Sequence, residues 1–103
     1  MSLQVHWTAR ARGDLLDIYL AIAIENRSAA QAVFDRLRAR VSVLPDHPRL
    51  GPRRDDIRLG LRVLVERPYL LVYRLTPDFD DQRVARIDII RVVDGRRDLA
   101  RLL

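Results

Sequence analysis

The sequence predicts an α+β domain in which a helical hairpin packs on a small antiparallel sheet, in the element order β-α-α-β-β-β. Three observations lead there. Two successive stretches carry apolar residues at three- and four-residue spacing with only a few polar residues between them, the mark of antiparallel amphipathic helices. The second half instead carries three runs rich in Val, Ile, Leu and Tyr, separated by Pro, Asp and Thr. Finally, 103 residues suffice for one core and not for two, so residues 1–103 form a single domain.

Each element has its own local reason. Leu3, Val5 and Trp7 alternate with Gln4 and His6 in a short strand. Thr8 then caps a helix over residues 9–25, where Ala11, Leu15, Ile18 and Ile22 make an apolar stripe widened by Leu16, Tyr19 and Ala23. Residues 25–27 form the turn, and Ser28 with Gln31 fits a capping box that opens the second helix. Ala30, Phe34, Leu37, Val41 and Leu44 form its buried side, and Pro45 ends it. Pro, Gly, His and charge dominate residues 45–56, which read as a loop. Residues 61–66 and 69–75 follow as strands joined tightly at Arg67-Pro68, and the final strand begins at Val84 after the turn residues 76–81, giving an antiparallel meander.

The final strand organises the rest. Ile87, Ile89, Ile90, Val92 and Val93 are β-branched, and Arg91 interrupts them. Strict alternation puts Ile87, Ile89, Arg91 and Val93 on one face and Asp88, Ile90, Val92 and Asp94 on the other. A strand apolar on both faces belongs inside its sheet, with helices over one face and a partner or groove over the other. Arg91 should pack its stem and pair its head with an acidic neighbour.

Composition excludes several functions. Without Cys there is no disulfide or thiolate metal site, and His6 and His47 stand alone, so no metal and no cofactor are expected. No Walker-type or dinucleotide-binding glycine pattern occurs. No run approaches a membrane span, and the opening residues lack a signal-peptide pattern, so a cytoplasmic location away from membranes is expected. The net charge is +5, carried by 19 arginines and no lysine. That balance favours an acidic partner, but no basic block with interleaved aromatics marks a nucleic-acid groove, so direct nucleic-acid binding stays open.

Trp7-Thr8, Asp14-Leu15, Ile18, the loop Pro48-Arg49-Leu50-Gly51, Leu61-Arg62, Pro68-Tyr69-Leu70-Leu71-Val72-Tyr73 and Ile89-Ile90-Arg91-Val92-Val93-Asp94-Gly95-Arg96-Arg97-Asp98-Leu99 together resemble the RelE/ParE family of toxins from type II toxin–antitoxin systems. The resemblance spans nearly the whole chain and implies a cognate antitoxin. It also implies one of two targets: messenger RNA on the ribosome, cut by RelE-like members, or DNA gyrase, poisoned without hydrolysis by ParE-like members.

Residue chemistry favours the ParE branch. RNA cleavage at a 2′-hydroxyl needs groups that take and return protons as well as cations that offset phosphate charge. RelE-like members commonly use His, Tyr or Lys near the final strand and tail, and the tail from Asp94 to Leu103 has none of these. A nuclease would have to rely on Arg62, Arg91 and Asp94, of which the arginines cannot act as bases.

The expected function is therefore growth inhibition by binding and poisoning DNA gyrase, with no catalytic residues. Endoribonuclease activity, or a non-toxic interaction module of the same fold, are the alternatives. The resemblance puts target contacts in the tail, at Arg96, Arg97, Asp98, Leu99, Arg101, Leu102 and Leu103, where Asp98 to Leu103 could form a short helical turn separable from the fold. The antitoxin, acidic and disordered until bound, is expected on the two most apolar strands, with Tyr73 and Arg91 as its contacts.

Overall fold

A computed structural model describes residues 3–97 and 99–103. The strand β1 (Val5–Trp7) leads into the helices α1 (Ala9–Ala23) and α2 (Arg27–Val41). The meander β2 (Arg62–Glu66), β3 (Tyr69–Thr76) and β4 (Arg86–Asp94) follows, and α3 (Leu99–Leu102) closes the chain. The sheet order is β1-β4-β3-β2, so β4 is internal as its two-sided apolar character requires. β2, β3 and β4 pair antiparallel, while β1 lies parallel to β4 because the two-helix connection and the meander return the chain in the same direction.

The caps explain where the hairpin begins and turns. Thr8 Oγ1 accepts from the Ala11 N–H at 3.1 Å and donates to the Ile90 carbonyl at 3.2 Å, tying the start of α1 to β4. The second cap differs from the predicted box. Asn26 caps α2 by accepting from the Ala29 N–H at 3.0 Å, while Gln31 turns to Asp35 at 2.9 Å. Asn is as good a cap as Ser, and with α2 beginning at Arg27, Ser28 already lies inside its first turn.

The sheet separates two apolar layers. On the near face, Ala11 and Leu15 of α1 and Leu37 and Val41 of α2 pack on Leu64, Leu71, Tyr73, Leu75, Ile87, Ile89 and Val92. On the far face, Leu61, Val63, Val72 and Val93 pack with Leu99, flanked by Leu70, Ile90, Leu102 and Leu103. Strict alternation along β4 fails. Val72 pairs with Arg91 and Tyr73 with Ile89, which leaves Ile90 as an extra residue. This bulge moves Val92 to the near face with Ile87 and Ile89, moves Val93 to the far face, and leaves Ile90 and Arg91 both on the far side.

The loop before β2 is fastened from inside. The Tyr73 hydroxyl donates to the Pro48 carbonyl at 2.8 Å and accepts from the Gly51 N–H at 2.8 Å. Gly51 is required by this contact, since a Cβ there would sit 2.7 Å from the Val63 carbonyl oxygen and 2.8 Å from the Tyr73 ring. Tyr73 is wholly buried and so has no surface to offer a partner, unlike the expectation for it. Tyr73→Phe should leave the buried Gly51 N–H unpaired and lower unfolding free energy by about 2 kcal/mol, measured by denaturant titration.

Candidate functional site

Three features carry chemistry or a contact surface: two largely buried arginine–carboxylate forks, an apolar groove beside the hairpin, and the basic tail.

The first fork joins Arg62 to Asp78, with Nε to Oδ2 and NH2 to Oδ1 both at 2.9 Å. Its side chains are 7% and 10% exposed. Arg62 NH1 also donates to the Gly51 carbonyl at 2.8 Å, so this residue fastens two loops to β2. Hydrogen bonding to Arg62, aided by its charge and opposed by burial, holds the Asp78 carboxyl below the usual carboxylate range. The Arg62 guanidinium is raised in turn, first by that hydrogen bond.

The second fork joins Arg91 to Asp14 of α1, with Nε to Oδ2 at 2.7 Å and NH2 to Oδ1 at 3.2 Å. Both side chains are 12% exposed. Asp14 Oδ2 also accepts from the Val92 N–H at 2.9 Å, occupying a backbone donor that β1 is too short to meet. Arg91 NH1 donates to the carbonyl of Leu102.

The two arginines do not converge. Arg62 is the register partner of Tyr73 and shares its near face, whereas Arg91 is the partner of Val72 on the far face. They also stand on β2 and β4, with β3 between those strands. Asp94 is pulled down to about 2, first by the Arg96 side chain and then by the Arg96 N–H, which makes it a very weak base. No group of three His, Asp or Glu residues that could hold a metal occurs among the described residues. His6 and His47 are both exposed.

The groove has a volume of about 690 Å³ and lies between β1 and the hairpin. Val5, Trp7, Leu15, Leu16, Tyr19 and Phe34 line it, with Arg12, Arg38, Gln31 and His6 beside them. Tyr19 and Phe34 meet edge to face, their centroids 6.2 Å apart, and Arg38 stacks over Phe34 at 5.6 Å. Leu16, Leu20 and Ile24 continue the apolar surface along α1.

The tail does not leave the sheet. Leu99 is buried and Leu102 and Leu103 are half-buried against the far face, so the leucines complete that layer. Arg58 NH2 donates to the Leu103 main-chain oxygen at 2.7 Å. Arg96, Arg97 and Arg101 remain exposed, with Arg96 turned back onto Asp94, and Asp98 lies outside the described residues.

Sequence reasoning named both arginines but not Asp14 or Asp78 as their anchors, and it missed the groove. The signal for Asp14 was available. It stands between Ala11 and Ile18 at helical spacing, inside the stripe that faces the sheet, where a carboxylate needs a cation.

A hairpin laid on a meander whose last strand runs into a basic tail is the architecture of the RelE/ParE class of toxins. The fold is that of a chain solved as "Chromosomal ParDE TA system from P. aeruginosa", with a TM-score of 0.71 over 90% of this chain and 96% of that one at 23% identity. "Toxin ParE3" of Caulobacter vibrioides is 32% identical over 94 residues, which cover 90% of this chain and 87% of that protein. The profile of the family described as "ParE toxin of type II toxin-antitoxin system, parDE" matches residues 5–99. The chain therefore belongs to the ParE toxin family of type II toxin–antitoxin systems. None of its helices is long and apolar enough to cross a membrane among the described residues.

The Asp78 fork gives a pH-dependent expectation. A depressed carboxyl stabilises the fold fully above its ordinary value of about 3.9 and loses that contribution as pH falls through the folded value. Asp78→Asn should cost about 3 kcal/mol near pH 7 by stranding Arg62. Its deficit against the parent, followed by urea melts across pH, should stay constant down to about pH 4 and shrink below it.

Proposed function

We propose that this ParE-family chain inhibits growth in the cytoplasm by binding DNA gyrase through its tail, and that an acidic antitoxin segment seated in the groove neutralises it. The observation that carries the binding mechanism is the separation of Arg62 and Arg91 onto opposite faces of the sheet, each already engaged by a carboxylate. Two cations set on opposite faces of the sheet and each paired with a carboxylate, beside an Asp94 whose carboxyl Arg96 holds low, support inhibition without bond cleavage. For the same reason endoribonuclease activity is the weaker reading.

The tail reading rests on exposed Arg96, Arg97 and Arg101 displayed around a helical turn whose leucines, Leu99, Leu102 and Leu103, are anchored on the far face. An anchored turn presents charge with less ordering cost than a loose end. The antitoxin reading rests on the chemistry of the groove. Its apolar lining with Arg12 and Arg38 suits a segment carrying both apolar and acidic side chains, and the +5 charge favours encounter with it. Arg91, turned towards Asp14 and Leu102, contributes to that surface less than expected from sequence.

In a supercoiling assay beside a cell-free translation assay, the chain should inhibit only the first. Inhibition of translation alone would establish the nuclease, and inhibition of neither would leave a non-toxic module. Because Arg97 and Arg101 are exposed, Arg97→Ala with Arg101→Ala should weaken supercoiling inhibition at least about tenfold while stability stays within about 0.5 kcal/mol. Removal of residues 100–103 is the poorer test, since it also uncovers the far apolar layer.

A further inference from the structure

We propose that Asp14 and Arg91 are positioning residues for the tail, holding residues 99–103 in one placement on the far face and acting on the target through that placement. The inference rests on the reading of the tail as the target surface. α3 is a four-residue helix, far too short to persist without tertiary contacts. Its leucines supply nondirectional adhesion, which leaves the turn free to slide or rotate on Val93 and Ile90. Direction comes from the two arginines that hold successive main-chain oxygens of the tail, Arg91 on Leu102 and Arg58 on Leu103.

Of these, Arg91 is the fixed one. Two carboxylate oxygens of Asp14 hold its Nε and NH2 in a planar fork, so NH1 can point in only one direction, and that direction is the Leu102 carbonyl. Asp14 is held in turn by the Val92 N–H and by its place on α1. The bulge at Ile90 makes the arrangement possible, because it turns Arg91 to the tail side of the sheet while bringing the Val92 N–H to Asp14. A residue near the start of the chain thus orients Arg101 near its end.

The test compares Asp14→Asn, Asp14→Glu and Arg91→Lys with the parent by melting temperature, by backbone order parameters and by supercoiling inhibition. Asn keeps one oxygen for the Val92 N–H but loses the charged fork, and Lys keeps the charge but cannot serve both Asp14 and Leu102 in plane. In the parent, order parameters at residues 99–103 should be near about 0.85, and in Asp14→Asn and Arg91→Lys they should fall below about 0.6 with β3 unchanged. Supercoiling inhibition should fall at least about tenfold in both, and Asp14→Glu should recover part of each effect. Tail order that stays at the parent value, or that is lost only together with order in β3, overturns the proposal. A disordered tail with full inhibition would leave the clamp standing and overturn instead the reading of the tail as the target surface.

Discussion

A β-bulge leaves one residue of a ladder unpaired, and here that residue, Ile90, stands where the internal strand loses its outer neighbour. β1 ends at Trp7, one residue before the cap of α1, so from Ile90 onward the outer edge of β4 has no strand beside it. Asp14 meets the Val92 N–H from above, and the Arg97 N–H meets the Asp94 carbonyl further along at 3.1 Å. With Thr8 Oγ1 on the Ile90 carbonyl, the edge is met by two side chains and one turn, which blunts a template for unwanted strand pairing. Once Asp14 is committed to that edge, its remaining charge requires a cation, and the residue that the bulge has rotated into reach is Arg91. Helix, sheet and tail are joined through this single carboxylate.

The second fork follows the same logic on the other side of the molecule. β2 is the opposite edge strand, and the loop ahead of it lies along its start, with the Val63 N–H donating to Pro52 and the Arg54 N–H to Leu61. Arg62 reaches inward from that edge to Asp78 and Gly51, so loops before β2 and after β3 are fixed to one guanidinium. Buried ion pairs of this kind add little net stability relative to apolar residues of equal size, but they penalise misplacement heavily. In a chain with no lysine, the planar fork is available at every basic position, and both sheet edges use it to fix loops that apolar packing alone would leave free to slide.

This difference between packing and polar closure decides what the sequence revealed. Periodicity reports which residues face a core, and it gave the element order, the hairpin and the internal place of β4 correctly, because those follow from burial. It could not reveal the bulge, since Ile89-Ile90 reads as uninterrupted strand and the extra residue appears only against the register of β3. Every face assigned beyond Ile90 was consequently inverted. Tyr73 was assigned to the antitoxin contact for a related reason: an aromatic ring with a hydroxyl suits a groove as well as a core, and only the Pro48–Gly51 loop folding over it shows which. Asp78 is the hardest case, because a carboxylate between Pro77 and Phe79 in a run of turn residues carries no local sign of a buried partner.

The placement of the two surfaces constrains how neutralisation could work on the proposed assignment. The groove opens beside the hairpin on the near side of the sheet, whereas the tail lies on the far side. A partner confined to the groove would leave Arg97 and Arg101 uncovered. To cover them directly, its chain would have to continue around the molecule, and crossing even the shortest dimension of 21 Å takes at least about six extended residues. The other route runs through α1, where Arg12, Leu15 and Leu16 line the groove within two residues of Asp14. A partner that displaced this turn of α1 would act on the Arg91 fork and hence on the tail without touching it, and would need affinity that differs between the two positions of α1. On that route the shared helical turn would couple the groove to the tail across the sheet.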